Sequence, residues 1–166
     1  YFSMGEYRKA LEYFDLSVEV YREIHDRRRL ATELNNIAVI SGDLGDYQTA
    51  LENYQRALAL HREIGNRVQE ATTLNNIGTA YSSLAEYQKG LDAYRAALDI
   101  HRSLDRPWDV AVNTHNIAWV YANLGDRQHA LNLYQEAIDI FRGVKDQFSL
   151  ANTLNNVGDN HTELGE

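Results

Sequence analysis

Residues 74–78 read Leu74-Asn75-Asn76-Ile77-Gly78, and the stretch recurs as Leu34-Asn35-Asn36-Ile37-Ala38, Thr114-His115-Asn116-Ile117-Ala118 and Leu154-Asn155-Asn156-Val157-Gly158. Every step is forty residues. A second block keeps the same interval: Gly45-Asp46-Tyr47 with Ala50 and Tyr54, Ala85-Glu86-Tyr87 with Gly90 and Tyr94, and Gly125-Asp126-Arg127 with Ala130 and Tyr134. Gly5-Glu6-Tyr7 with Ala10 and Phe14 is its earlier copy. A period of this length marks a repeat architecture, in which no unit buries its apolar face alone and stacking makes the core.

Within one unit Leu74, Ile77, Gly78, Tyr81 and Leu84 fall at helical spacing, as do Tyr87, Leu91, Tyr94 and Leu98, so each unit is two amphipathic helices. The pattern predicts eight helices over residues 6–26, 28–43, 46–64, 67–83, 86–104, 107–123, 126–144 and 147–163. Between paired helices, a small residue ends the first, and Asp46, Glu86 or Asp126 faces the positive end of the second. Asn66 followed by Gln69 resembles a capping box, and Pro107 sits in a first turn, where its missing N–H costs little. Ala38, Gly78, Ala118 and Gly158 on one helix, with Ala50, Gly90 and Ala130 on the other, let backbones approach closely beside large aromatics.

Sixteen basic against twenty-four acidic residues give a formal charge of -8, with no basic run, which disfavours nucleic acid and anionic membrane as partners. The absence of Cys rules out disulfides and thiolate metal sites and suits a cytoplasmic location. No apolar run approaches the ~18 residues of a membrane span, and the N-terminus lacks signal-peptide character. The sequon Asn160-His161-Thr162 is read as chance.

Leu74-x2-Ile77-Gly78-x2-Tyr81 followed by Gly90-x3-Tyr94 resembles the signature of tetratricopeptide repeats, and the resemblance covers the whole chain. It implies an all-α, right-handed superhelical solenoid of antiparallel helix pairs that binds other proteins. The usual period is 34 residues with a closing Pro; forty without that Pro implies a second helix longer by over a turn. The longer form is similar to the repeats of kinesin light chains, spindle-orientation adaptors and bacterial arrays fused to signalling ATPases or caspase-like domains. The expected organisation is one array over 1–166: a partial repeat 1–27, repeats 28–66, 67–106 and 107–146, and a partial repeat 147–166. Its polar-capless ends suggest a piece of a longer protein, with Tyr7, Leu11 and Phe14 exposed at one end and Leu154, Val157 and Leu164 at the other. Those two surfaces could stack head to tail.

Catalysis needs converging groups, and no phosphate loop, HExxH, GxSxG or calcium-loop pattern occurs, so neither enzyme activity nor a cofactor is expected. His61 and His101 hold the position filled by Tyr21 and Phe141 in flanking copies, which favours packing over metal ligation. Arg22, Arg62, Arg102 and Arg142 recur near the ends of the second helices. They could serve as helix-end charges and ion pairs, or as a row for an acidic ligand.

Turning Leu74, Ile77, Gly78 and Tyr81 inward places Thr72, Asn76, Thr79 and Ser83 on the opposite face. The equivalent rows are Thr32, Asn36, Val39, Asp43; Val112, Asn116, Trp119, Asn123; and Asn152, Asn156, Asp159, Glu163. By the resemblance, first helices line the concave surface, so these rows form a groove. Asn36, Asn76, Asn116 and Asn156 recur in all four and offer both donor and acceptor to a peptide backbone, although such amides can equally bond a neighbouring helix. Asn35, Asn75, His115 and Asn155 lie beside that ladder, and Trp119 is the rows' one large aromatic, either a ligand contact or a packing residue. With Asp43, Asp159 and Glu163 but no Lys or Arg, the rows suit a neutral or basic protein segment. The expected function is a scaffold or sensor module in a larger signalling protein, with an empty architectural spacer or self-association module as the alternative.

Overall fold

The computed structural model describes residues 4–164, in which eight helices follow one another with no strand among them. They are α1 (Met4–Glu23), α2 (Arg27–Asp43), α3 (Tyr47–Glu63), α4 (Arg67–Ser83), α5 (Tyr87–Ser103), α6 (Pro107–Asn123), α7 (Arg127–Gly143) and α8 (Gln147–Leu164). Even-numbered helices are the first of a pair and odd-numbered the second. Each helix packs against its sequence neighbours, and the successive first helices α2, α4, α6 and α8 also touch one another.

One turn joins every helix to the next. Residues 25, 45, 65, 85, 105, 125 and 145 all have positive φ, twenty residues apart. The following N–H reaches back five residues, as in Asp46 N to Ser41 O at 2.8 Å and Glu86 N to Tyr81 O at 2.9 Å. The left-handed residue's own N–H reaches back three, as in Gly45 to Gly42 O. This pair of bonds is the Schellman closure, which satisfies the last helical carbonyls. The next residue then caps the following helix: Asp26, Asp46, Asn66 and Asp126 each accept from the N–H three residues on. Glu86 and Arg106 make no such side-chain bond. Because the turns are identical, α3, α5 and α7 have seventeen residues, as do α2, α4 and α6. The longer period therefore lengthens both helices of a unit, not the second alone. For the same reason α1 ends at Glu23, three residues before the predicted boundary.

The core runs between helix pairs. Ala38, Tyr54, Leu74 and Ile77 share one buried cluster, and Leu91, Tyr94, Ile117 and Val120 form the next. The small residues act as predicted at the α4–α5 crossing. A Cβ on Gly78 would stand 2.6 Å from the Tyr94 ring, and one on Gly90 2.5 Å from Ser82 Oγ. Gly158, the last copy, has open space instead. Tyr13, Leu16 and Val20 on α1 and Ile24 just after it are exposed apolar residues. Leu11 and Phe14, expected to be exposed, pack against Val18, Leu34, Ile37 and Ala57 because that stripe of α1 faces α2; Tyr7 is half-buried. Leu154 is exposed, Val157 packs beside Ala118, Ala130 and Tyr134, and the Leu164 side chain lies outside the described residues.

Candidate functional site

The two adjacent polar rows on the first helices have different environments. Where one first helix meets the next, Thr73, Asn113 and Thr153 are fully buried and need polar partners. They find them thirty-eight residues earlier: Asn35 Nδ2 donates to Thr73 Oγ1 at 3.1 Å, Asn113 Nδ2 to Asn75 Oδ1 at 2.9 Å, and His115 Nδ1 lies 2.9 Å from Thr153 Oγ1. Asn35, Asn75 and His115 thus form a ladder that ties successive units together. Asn155 is exposed. Burial holds the His115 ring below the ordinary histidine range.

The neighbouring Asn row is partly drawn into this ladder. Asn116 Nδ2 donates to Asn75 Oδ1 at 3.0 Å, and Asn156 Nδ2 lies 3.3 Å from His115 Nε2. In both, the amide nitrogen turns inward. Asn36 Nδ2 donates to Glu33 within its own helix, whereas Asn76 takes no part in these bonds. Thr72 Oγ1 bonds Val68 O, and Thr79 Oγ1 lies 3.0 Å from Tyr94 Oη.

Three pockets open along this face, and they are one pocket repeated. The first, about 280 Å³ between α2, α3 and α4, is lined by Val39, Asp43, Tyr54, Asn76 and Thr79. The second, about 270 Å³, has Thr79, Ser83, Tyr94, Asn116 and Trp119 at the positions forty residues on. The third, about 310 Å³, has Trp119, Asn123, Tyr134, Asn156 and Asp159. Thr79 and Trp119 each stand between two pockets. The tyrosines Tyr54, Tyr94 and Tyr134 were legible in the sequence only as core residues; each also forms part of a pocket wall. A signal existed in the choice of Tyr at three successive copies where the first copy has Phe14.

The pockets differ in charge. Burial pushes Tyr54 up to about 12, with Asp43 adding to the shift, and Tyr134 up to about 12, with Asp159 adding. Tyr94 is raised by burial and partly relieved by its hydrogen bond to Thr79 and by the nearby Ser82 hydroxyl. The middle pocket contains no carboxylate, while the outer two are acidic.

The recurrent arginines face carboxylates. Arg22 lies 3.9 Å from Glu19, Arg62 3.0 Å from Glu70, Arg102 3.3 Å from Glu136 and Arg142 3.6 Å from Asp139. Glu70 is buried and also pairs with Arg67, a structural cluster with no recurring copy to reveal it. His61 and His101 are buried in the helix packing. No group of three His, Cys, Asp or Glu converges among the described residues, and no helix there is long and apolar enough to cross a membrane.

Stacked antiparallel helix pairs with a repeated open face define a helical-repeat array. The family model described as tetratricopeptide repeat matches residues 29–103 and 71–143. The chain belongs to the tetratricopeptide-repeat family. Among solved structures it is similar to BtubC (BKLC) from P. vanneervenii, with 23% identity and TM-score 0.86 over 97% of this chain and 67% of that one. It also resembles aspartyl phosphate phosphatase F from Bacillus subtilis, with 14% identity and TM-score 0.89 over 98% of this chain and 44% of that one. A third is a Rap protein complexed with competence and sporulation factor, 16% identical at TM-score 0.76 over 97% and 47%. The chain thus spans less than half the length of the latter two. No curated protein matches it in sequence.

Proposed function

We propose that the array binds an extended segment of a partner protein along the face of its first helices, as the recognition part of a larger cytoplasmic signalling protein. The observation that carries this reading is the threefold repeat of one pocket, each copy setting an amide beside a tyrosine. A peptide in extended form advances with regular spacing and needs such recurring donors and acceptors for its backbone. The Rap protein of similar fold has a bound factor in its solved structure, which is consistent with this use of the fold. Asn76 is the amide most available to a ligand, since the ladder leaves it unused.

The test is selection of binding peptides from a displayed library, followed by affinity measurement on variants. Asn76→Ala should weaken binding several-fold, for a net loss of about 0.5–1.5 kcal/mol, and Trp119→Ala by about 2 kcal/mol if its ring covers a side chain. The opposite-face change Lys89→Glu should leave affinity alone. Normal binding by both groove variants with loss in Lys89→Glu would move the interaction to the outer surface. The acidic outer pockets favour a neutral or basic segment, whose affinity falls as salt rises.

Self-association is the second reading, favoured by the exposed stripe of Tyr13, Leu16 and Val20 on α1, continued by Ile24. Light scattering should then show concentration-dependent growth that Leu16→Glu abolishes.

A further inference from the structure

The third pocket, between α6, α7 and α8, holds more unspent polar groups than the other two. Tyr134 is 0% exposed and its hydroxyl has no hydrogen-bond partner; Asn156 lies beside it without completing a bond. Asn160 is 5% exposed, and while its Nδ2 donates to Asn156 O at 2.8 Å, its Oδ1 is unpartnered. Both residues line the same cavity. At the equivalent of Asn160, the first pocket has Ala80. A buried amide oxygen without a partner is costly, and here nothing in the fold calls for it.

The donor and acceptor inventory of this cavity is one-sided. Asn160 Oδ1 is free, and Asn156 presents its oxygen because its nitrogen turns to His115. Asp159 forms no ion pair among the described residues, and the Arg127 guanidinium is already held by Glu163. The donors that line the cavity are already drawn to other groups: Arg127 to Glu163, Asn123 Nδ2 to Trp119 O and Asn160 Nδ2 to Asn156 O. With Arg127, Asp159 and Glu163 together, the formal charge of the cavity is one negative. Trp119, 39% exposed, forms a wall whose ring face attracts cations. The volume, about 310 Å³, is at the lower end for sites that enclose a small ligand.

From this juxtaposition we infer that the third pocket is an anchor subsite for a basic side chain of the bound segment, arginine in preference to lysine. Ammonium and guanidinium both carry donors and no acceptor, but the guanidinium's five donors, spread over a flat fork, reach Asp159, Asn160 Oδ1 and Asn156 Oδ1 together where three donors on one compact nitrogen do not. Its plane stacks on Trp119, which a compact ammonium does less well. The inference rests on the groove reading above in taking the arginine from a partner segment, and names what that groove selects.

The experiment uses the whole chain and the indole N–H resonances of its two tryptophans, Trp119 in the cavity wall and Trp108 as internal control. Probes are Nα-acetylarginine amide, the lysine analogue, and the citrulline analogue, which keeps the shape and loses the charge. The arginine probe should shift Trp119 saturably and leave Trp108 in place, with lysine weaker and citrulline at least tenfold weaker. Asp159→Asn, an exposed change on α8 that leaves packing intact, should reduce arginine affinity about tenfold. Citrulline binding as well as arginine, or an unchanged affinity in Asp159→Asn, would overturn the assignment. Two blocked alanine-based hexapeptides, differing only in a central arginine or citrulline, separate the two readings. Equal and tight binding of both would leave the groove standing and remove the subsite. An arginine peptide no tighter than the arginine amide would keep the subsite and remove the extended-segment reading.

Discussion

Ala85 turns the chain between α4 and α5 at φ 58°, a conformation in which a Cβ crowds the following carbonyl. The strain is about 1–2 kcal/mol, while replacing alanine by glycine costs about 0.4–1 kcal/mol through the unfolded chain's extra freedom. Strain is the larger, so Ala85→Gly should stabilise the protein by about 0.5–1 kcal/mol in urea unfolding. Gly45→Ala, at the same place one unit earlier with nothing within 4 Å of an added Cβ, should lose a similar amount. At Gly78 the glycine is required by space: Gly78→Ala drives a methyl into the Tyr94 ring and should cost about 1–3 kcal/mol. These positions also mark how far residues could be read in advance. Gly45 and Gly125 announced their turns, but His25, Asp105 and Lys145 adopt the same positive φ with no glycine to signal it. Their conformation is imposed by the bonds on either side, and only the twenty-residue spacing betrays it.

His61 and His101 end α3 and α5 on the packed side of each helix, 1% and 2% exposed, where Tyr21 and Phe141 stand in α1 and α7. Burial lowers both pKa values, with Glu70 opposing the shift at His61, and Asp109 opposing it at His101 while Arg106 adds to it. The unfolded chain therefore binds protons first. The stability from neutral, buried rings is complete above pH ~6.5 and is lost as pH falls from there through the folded values. Neither nitrogen of His61 has a partner, so His61→Phe also removes an unsatisfied polar group. That variant should be more stable at neutral pH and lose less stability between pH 7 and 5; an unchanged pH slope in urea unfolding would rule out His61 as a source. The helices themselves were plain in the sequence because the apolar stripe recurs every forty residues and tolerates this His-for-aromatic exchange. The site was less so. Both Asn75 and Asn76 lie on the side away from the core stripe, and which of them enters the ladder depends on how one first helix crosses the next. No periodicity within a helix encodes that crossing. Likewise a tyrosine on an apolar stripe reads as a ring to be buried, and its part in a pocket wall exists only once three helices are assembled.

In a linear array each helix meets only near neighbours, so stability is a sum of unit and interface contributions and unfolding need not be all-or-none. Two kinds of contact oppose local fraying here: the apolar packing of sequence-adjacent helices, and the polar ladder that joins every first helix to the next. The ladder is thin. Between α4 and α6 its hydrogen bonds converge on one atom, Asn75 Oδ1, which accepts from both Asn113 and Asn116. Asn113 is buried, so removing the acceptor strands its amide and should cost about 1–3 kcal/mol. The consequence extends beyond that number, because α6–α8 would then hold to α1–α4 chiefly through α5, by its packing and the exposed Arg95–Tyr121 and Arg102–Glu136 contacts. Asn75→Ala should therefore broaden the thermal transition and raise the calorimetric enthalpy above the van't Hoff value, with amide exchange in α6–α8 no longer matching that in α2–α4. Asn36→Ala, whose amide bonds only Glu33 in its own helix, should shift the transition little and leave its shape unchanged. If Asn75→Ala melts as sharply as the parent at a lower temperature, apolar packing alone carries the cooperativity, and the ladder is local stabilisation.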